Sequence, residues 1–259
     1  IRDQPRSRGL GDVYKRQVFK VPSKELFYFA ISVFVLGLFI GLNQLIVRIV
    51  VSHDLGVSWQ GYLDVSLTLV TLLSLTFGAL RFISIPEATG VESKEKILYT
   101  TGEFGNVVRV LFSFTVFGVI LLYFYSEYFV IILFTEAYIQ SAKYVVLLGI
   151  GNIFLFIQGF LAYMNISFHP NKYRPIILLT LVLILLSPVL THIFIQTFGF
   201  LGAYFSITIF YIIYAIATMV ISADLTPLYV IFYRVEGLII SSAASFIFLY
   251  LFISFSCIK

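Results

Sequence analysis

The chain has 259 residues, of which 60% are hydrophobic and 18% aromatic, while only 12% are charged, and its mean hydropathy is +1.00. A soluble domain carries about twice that share of charged residues. The composition therefore excludes a protein whose surface faces water and indicates an integral membrane protein. The single cysteine, Cys257, excludes a disulfide framework and a cysteine-based metal site.

The N-terminal segment carries most of the basic charge. Residues 1–17 have a net charge of +3, which leaves +1 of the formal +4 for the rest of the chain. The segment resembles the translated sequencing-adapter tail found at the ends of some gene models, and we expect it to be non-native. The alternative is a genuine basic arm next to the membrane.

Long apolar stretches recur along the rest of the chain. An α-helix needs about 20 residues to cross the hydrocarbon layer, and in lipid its backbone must satisfy its own hydrogen bonds. The sequence predicts a bundle of seven transmembrane helices, at residues 27–51, 62–85, 107–125, 144–166, 176–196, 201–222 and 237–255. Residues 86–104 are predicted to form an amphipathic interfacial helix, and residues 126–143 to include another half-buried interfacial segment.

The charges of the connecting segments predict the orientation of the chain. Eight Lys and Arg residues lie on the face that holds the segment before Phe27, against two on the opposite face. By the positive-inside rule the first face is cytoplasmic. We therefore expect a multi-pass protein of the cytoplasmic membrane.

Several short motifs resemble those of a known family. They are Gly56 followed by Gly61-Tyr62, Ile85-Pro86-Glu87, Phe134-Thr135-Glu136-Ala137-Tyr138, His169-Pro170-Asn171-Lys172 and Phe198-Gly199-Phe200-Leu201-Gly202-Ala203. In order and spacing they resemble polysaccharide flippases of the multidrug/oligosaccharidyl-lipid/polysaccharide superfamily, whose relatives include the MATE transporters. The resemblance covers most of residues 18–222 and matches the C-terminal lobe of a two-lobe protein.

The resemblance implies a domain organisation and a function. Residues 18–222 would form the six-helix C-terminal lobe, and residues 223–259 would add one transmembrane helix. The N-terminal lobe of the same polypeptide is not found in the sequence, and transport is expected to need it. The whole protein would move a polyprenyl-linked oligosaccharide from the cytoplasmic to the outer leaflet by alternating access, without a cofactor.

The first predicted span carries the strongest candidate site residues. A charged side chain at the centre of a span costs about 2.5 to 3.5 kcal/mol on insertion scales, so it is unusual without a role. Asn43, Gln44 and Arg48 fall within about 140° of helical arc and would form one polar stripe. Arg48 could bind the pyrophosphate of a lipid-linked sugar in a cavity wall. Alternatively, it could extend to the outer headgroups or pair with Asp64.

Three further positions each have two interpretations. Arg81 is either a cytoplasmic capture point for the anionic headgroup or a cation that extends to the interface. Gln158 is either an interhelical hydrogen-bonding group or a contact for sugar hydroxyls. Pro188 predicts a kink in the fifth span, which is either fixed or a hinge for alternating access.

The sequence lacks the patterns that are typical of several classes of function. No acidic residue lies deep in a predicted span, because Asp64, Glu87 and Glu236 all lie at span ends. The sequence also has no metal-ligand spacing, phosphate loop, catalytic set or basic–aromatic nucleic-acid patch. We expect no enzyme activity, no metal and no nucleic acid; the expected partners are the oligosaccharide lipid and membrane lipids. One alternative is a MATE-like drug or cation exporter, which predicts an acidic cavity. Another is a membrane-embedded enzyme of glycan assembly, which predicts acidic residues in its outer loops.

Overall fold

The computed structural model describes residues 24–88, 103–168 and 173–222, and this part of the chain is helical, with no β-strand. The prediction of an all-helical protein is confirmed there. Six long helices follow one another, with a 3₁₀ turn at Glu136–Tyr138 before the fourth. They are α1 (Lys24–Asp54), α2 (Val57–Ala88), α3 (Glu103–Leu133), α4 (Ile139–Phe168), α5 (Tyr173–Phe198) and α6 (Phe200–Ser222).

Four stretches of the described chain are long and apolar enough to cross a membrane. They are Val107–Leu133, Glu136–Ala162, Arg174–Phe198 and Phe200–Ile221, which match the third to sixth predicted spans. The chain is thus a multi-pass membrane protein by the length and composition of its helices. The predicted spans 27–51 and 62–85 lie within α1 and α2, and their crossing of the membrane stays a prediction. The span predicted at 237–255 lies outside the described residues.

The connection between the third and fourth spans is shorter than predicted. We expected residues 126–143 to include another half-buried interfacial segment, but α3 continues to Leu133 and α4 begins at Ile139, which leaves only a short connection with the 3₁₀ turn Glu136–Tyr138. The physical reason is that residues 126–133 are nearly as apolar as the span before them, so their Tyr and Phe side chains lengthen the helix. Helix α2 likewise continues to Ala88, and the predicted interfacial helix at 86–104 falls mainly on residues 89–102, outside the described chain.

Helix α4 lies at the centre of the bundle and α5 at its periphery. Helix α4 packs against α2, α3 and α6, and 72% of its apolar window is buried. Helix α5 packs mainly between α1 and α6, and 28% of its window is buried. The outward face of α5 is apolar, as expected for a surface that contacts acyl chains. It exposes Leu178, Leu181, Val182, Leu185, Leu186, Val189 and Ile193.

Two tight turns connect neighbouring helices at one end of the bundle, which we call the turn end. Gly56 (φ 101°) joins α1 to α2 and Gly199 (φ 61°) joins α5 to α6; both occupy the left-handed region that favours glycine. The Gly199 N–H donates to the Ile195 carbonyl at 2.8 Å, which satisfies one of the last carbonyls of α5. Each of these helix pairs is therefore antiparallel.

Aromatic side chains pack together at the turn end. The ring centroids of Trp59 and Phe200 lie 4.7 Å apart, those of Phe200 and Tyr204 lie 5.1 Å apart, and those of Tyr62 and Tyr138 lie 5.9 Å apart. Tyrosine and tryptophan favour the membrane–water interface, where one part of the ring is apolar and the other is hydrated. The turn end therefore carries the side chains expected where helices leave the hydrocarbon layer.

A buried hydroxyl pair joins α2 to α6 beside this aromatic cluster. Ser66 Oγ lies 2.9 Å from Tyr204 Oη and 3.1 Å from the carbonyl oxygens of Tyr62 and Ser141. Ser66 and Tyr204 are both fully buried. Because polar groups in such a position need partners, this pair fixes how α2, α4 and α6 meet.

Ser66→Ala should lower the free energy of unfolding by about 1 to 3 kcal/mol, the usual cost of leaving a buried polar partner unsatisfied. The Tyr204 hydroxyl would keep only the Tyr62 carbonyl, at 3.5 Å. Unfolding of the detergent-solubilised chain in denaturant measures the loss. When Tyr204→Phe is added to the Ser66→Ala variant, it should lower the free energy of unfolding by less than Tyr204→Phe alone does in the unaltered chain. The reason is that both substitutions remove the same interaction. Fully additive losses would contradict this pairing.

Candidate functional site

Polar side chains form one face on each of the neighbouring helices α1 and α2. They recur every three or four residues, which places those of each helix on one face. On α1 they are Gln44, Arg48 and Ser52, and on α2 they are Gln60, Asp64, Thr68, Thr71 and Ser74. None of the eight is fully buried, and Thr68 and Thr71 are exposed. We call this surface the α1–α2 cleft.

The part of the cleft near the turn end is an open groove of about 440 Å³. Arg48 and Asp64 line it together with Leu45, Ile49, Ser52, His53 and Gln60. Arg48 Nε lies 2.6 Å from Asp64 Oδ1, and the two side chains are 35% and 39% exposed. Neither of these two atoms makes a hydrogen bond of good geometry, so the contact is an ion pair by distance and charge. The pair places one cation and one anion in the cleft wall.

A second, small cavity lies farther from the turn end, where four helices meet. Ser74 Oγ on α2 donates to Asn152 Oδ1 on α4 at 2.9 Å, and Gln44 Nε2 on α1 donates to Tyr211 Oη on α6 at 3.3 Å. The cavity has a volume of about 10 Å³ and is also lined by Thr71. That is room for about one water molecule among groups able to bind it.

The structure separates the three residues of the predicted polar stripe. Gln44 and Arg48 line the cleft, but Asn43 does not. Asn43 is fully buried and accepts a hydrogen bond of 2.6 Å from Ser187 Oγ on α5. The prediction of one shared face is therefore wrong for Asn43, because the turn of about 100° between residues 43 and 44 directs their side chains to different neighbouring helices.

The other predicted positions lie away from the cleft or outside the described side chains. Gln158 is 3% exposed, within α4, and lines neither the groove nor the small cavity. Arg81 lies on α2, and its side chain is outside the described part of the structure. Pro188 lies inside α5, which continues beyond it to Phe198. The choice between a fixed kink and a hinge stays a prediction.

Sequence reasoning missed the smaller polar groups of the cleft. Asp64 was treated as a helix-end residue, although the spacing of Gln60, Asp64 and Thr68 was a signal for one polar face. Thr68 and Thr71 each donate to a carbonyl four residues earlier in α2, at 2.8 and 2.7 Å. Hydroxyls that bond within their own helix are common in membrane spans, so their presence alone does not indicate a site.

The chemistry of the cleft is that of a binding surface. Guanidinium, carboxylate, amide and hydroxyl groups together suit a ligand that is charged and rich in hydroxyls. Among the described residues, no set of three or more His, Cys, Asp or Glu side chains is arranged to hold a metal ion. No protein-family model, curated protein or solved structure matches this chain.

Proposed function

We propose that this chain is part of a membrane transporter and that the α1–α2 cleft lines its passage. The proposed cargo is a polyprenyl-linked oligosaccharide, carried from the cytoplasmic to the outer leaflet by alternating access. The observation that supports a passage is the partly exposed Arg48–Asp64 pair on helices of a largely apolar bundle. Charges in that setting almost always face a water-filled cavity or the interior of a bundle.

The length of the polar surface supports a passage over a simple interfacial anchor. From Gln60 to Ser74 the polar positions of α2 span fifteen residues, a rise of about 21 Å along the helix axis. That is roughly two thirds of the hydrocarbon thickness. A side chain that only extends to the headgroups needs no polar surface continuing so far below it.

The composition of the cleft supports a sugar-phosphate cargo. Gln44, Gln60, Thr68 and Thr71 offer amide and hydroxyl groups, which exchange hydrogen bonds with sugar hydroxyls as they do with water. Arg48 offers the planar donor set that suits phosphate oxygens. The motif resemblance to polysaccharide flippases supports the same cargo.

A MATE-like cation exporter is the second candidate, and one observation favours it. We expected no acid in the cavity wall of this lobe, but Asp64 lines the groove. Asp64→Asn separates the two proposals: it should abolish binding of a cationic dye if the cargo is a cation. For an anionic cargo, the same substitution should leave binding of a short-chain polyprenyl pyrophosphate unchanged or stronger. Tryptophan quenching of the chain in nanodiscs measures both.

Thiol labelling tests whether the cleft contacts water. In a Cys257→Ser background, Thr68→Cys and Thr71→Cys should react with a hydrophilic maleimide at least about tenfold faster than Leu185→Cys, because thiolate forms in water and not in hydrocarbon. Leu185 is a matched control, since it is 75% exposed on the apolar face of α5. Equally slow labelling at all three positions in native membranes would show that the cleft faces lipid, and would contradict a passage for either cargo.

A further inference from the structure

The groove at the turn end offers one positive and one negative charge to a ligand. Its lining includes a single Arg and a single Asp, and no Lys or Glu. The contact between them joins Arg48 Nε to Asp64 Oδ1, and these two atoms are shielded from solvent. The exposed area of the two side chains, 35% and 39%, therefore belongs to their other atoms. The polar atoms left to bind a ligand are Nη1 and Nη2 of the guanidinium and Oδ2 of the carboxylate.

The lining of the same groove changes from polar to apolar with distance from the turn. Ser52, His53 and Gln60 line it near the turn, and Leu45 is the lining residue of α1 farthest from the turn. Leu45 and Ile49 are 47% and 60% exposed, and their spacing of four residues places them on one face of α1. A ligand that fits this lining has a charged part and an apolar part, which is the profile of a lipid.

Arg48 and Asp64 lie at the same distance from the turn between α1 and α2. Each is eight residues from Gly56, a rise of about 12 Å along its helix. The headgroup layer on each side of a bilayer is roughly 5 to 8 Å thick. With α1 and α2 crossing the membrane, as the proposed function requires, the pair lies near the border between headgroups and acyl chains.

We propose that this groove binds a zwitterionic phospholipid whose headgroup is phosphoethanolamine. The phosphate accepts hydrogen bonds from Nη1 and Nη2 of Arg48, and the ammonium donates to Oδ2 of Asp64. An acyl chain lies along Leu45 and Ile49. The inference rests on the proposed function only in that α1 and α2 must lie in the membrane, and it does not depend on the cargo.

The two charges of the groove distinguish this headgroup from those of other phospholipids. An ethanolamine ammonium has three N–H donors, as a lysine side chain does. The quaternary ammonium of phosphatidylcholine has no N–H and cannot donate a hydrogen bond to Asp64. Phosphatidylglycerol has a phosphate but no cation, so the carboxylate would repel it. Only the ethanolamine lipid among these three forms a charge-assisted hydrogen bond with each member of the pair.

Native mass spectrometry of the full chain tests the site. The detergent-solubilised protein is supplied with equal amounts of phosphatidylethanolamine, phosphatidylcholine and phosphatidylglycerol that have the same acyl chains. One ethanolamine lipid per chain should be retained, at least about fivefold more than either competitor, because each competitor loses one charge-assisted interaction in a partly exposed site. Equal retention of the three lipids would show non-selective annular lipid and overturn the proposal.

A soluble headgroup tests whether the acyl chains contribute. Glycerophosphoethanolamine has the same headgroup without acyl chains, so it lacks the part that contacts Leu45 and Ile49. At millimolar concentration it should not displace the retained lipid. Displacement would show that the free headgroup is sufficient, and would overturn a lipid as the occupant.

Two variants of nearly unchanged shape test the two charges separately. Asp64→Asn should lower the retention of the ethanolamine lipid to that of phosphatidylcholine and raise that of phosphatidylglycerol. Arg48→Gln should lower the retention of both phosphatidylethanolamine and phosphatidylglycerol. Lys143→Ala and Glu136→Ala are matched controls, since they remove exposed charges that do not line the groove. Unchanged selectivity in Asp64→Asn, or an equal loss in the controls, would refute the assignment.

The lipid site and the passage can fail independently. Selective retention of the ethanolamine lipid together with slow labelling of Thr68→Cys and Thr71→Cys would support the lipid site and contradict the passage. Fast labelling without selective retention would support the passage and overturn the lipid site.

Discussion

Arg48→Ala is expected to abolish transport, with a loss of at least about tenfold, while Arg48→Lys should retain part of it. A tenfold loss corresponds to about 1.4 kcal/mol, which is within what one charge-assisted hydrogen bond contributes. Lysine keeps the positive charge but not the planar set of donors that fits a phosphate group. The amount of oligosaccharide lipid exposed on the outer leaflet of spheroplasts, in cells that depend on the complete polypeptide, measures the effect at matched protein levels.

The contact with Asp64 makes a sharper experiment possible. Arg48→Ala also leaves a carboxylate in the cleft wall without its cation, and this alone could block an anionic cargo. The double variant Arg48→Ala/Asp64→Ala removes both charges of the pair. If Arg48 binds the cargo, the double variant stays inactive; if Arg48 only neutralises Asp64, transport returns. Full recovery in the double variant, or normal transport by Arg48→Ala, would contradict the proposed binding role.

Gly202→Ala is expected to cause a large loss of stability. A β-carbon at position 202 would overlap the backbone carbonyl of Phe194 and lie 2.8 Å from the amide nitrogen of Ile195, both on α5. Backbone cannot move aside as a flexible side chain can, so α5 and α6 must separate near their one-residue turn. We expect a cost of about 3 kcal/mol or more and a fall in Tm of roughly 6 to 12 °C. Fluorescence-detected gel filtration of heated, detergent-solubilised protein measures it.

Gly41→Ala is the matched control for this substitution. Gly41 lies within α1, and a β-carbon there would meet no atom within 4 Å. Alanine favours a helix over glycine by about 1 kcal/mol, so Tm should stay the same or rise slightly. Similar losses of Tm in the two variants would show that close contact between α5 and α6 is not what requires glycine at position 202.

The helices were predictable from sequence because an apolar stretch long enough to cross a membrane must form a helix there. The predicted spans at 144–166 and 176–196 lie within α4 and α5 for this reason. The end of α3 was not predictable, because tyrosines that mark an interface can equally extend a helix.

The site was predictable only in part, because helical periodicity gives the face of a residue but not the neighbour that covers it. Gln44 and Arg48 lie on one face of α1, as their spacing of four residues implies, and line two different cavities. Asn43 contacts Ser187, 144 residues later, and Asn152 contacts Ser74 across 78 residues. Contacts of that kind depend on how the whole bundle is arranged, and spacing within one span carries no information about them.

The Ser66–Tyr204 contact has a consequence for biosynthesis. The two residues are 138 positions apart, so a ribosome adding about 5 to 20 residues per second makes the serine roughly 7 to 28 s before the tyrosine. During that interval the nascent chain holds its first helices in the membrane without the residue that completes their packing. Synthesis that stops before Tyr204 should therefore leave truncated products that insertion chaperones retain and membrane proteases remove.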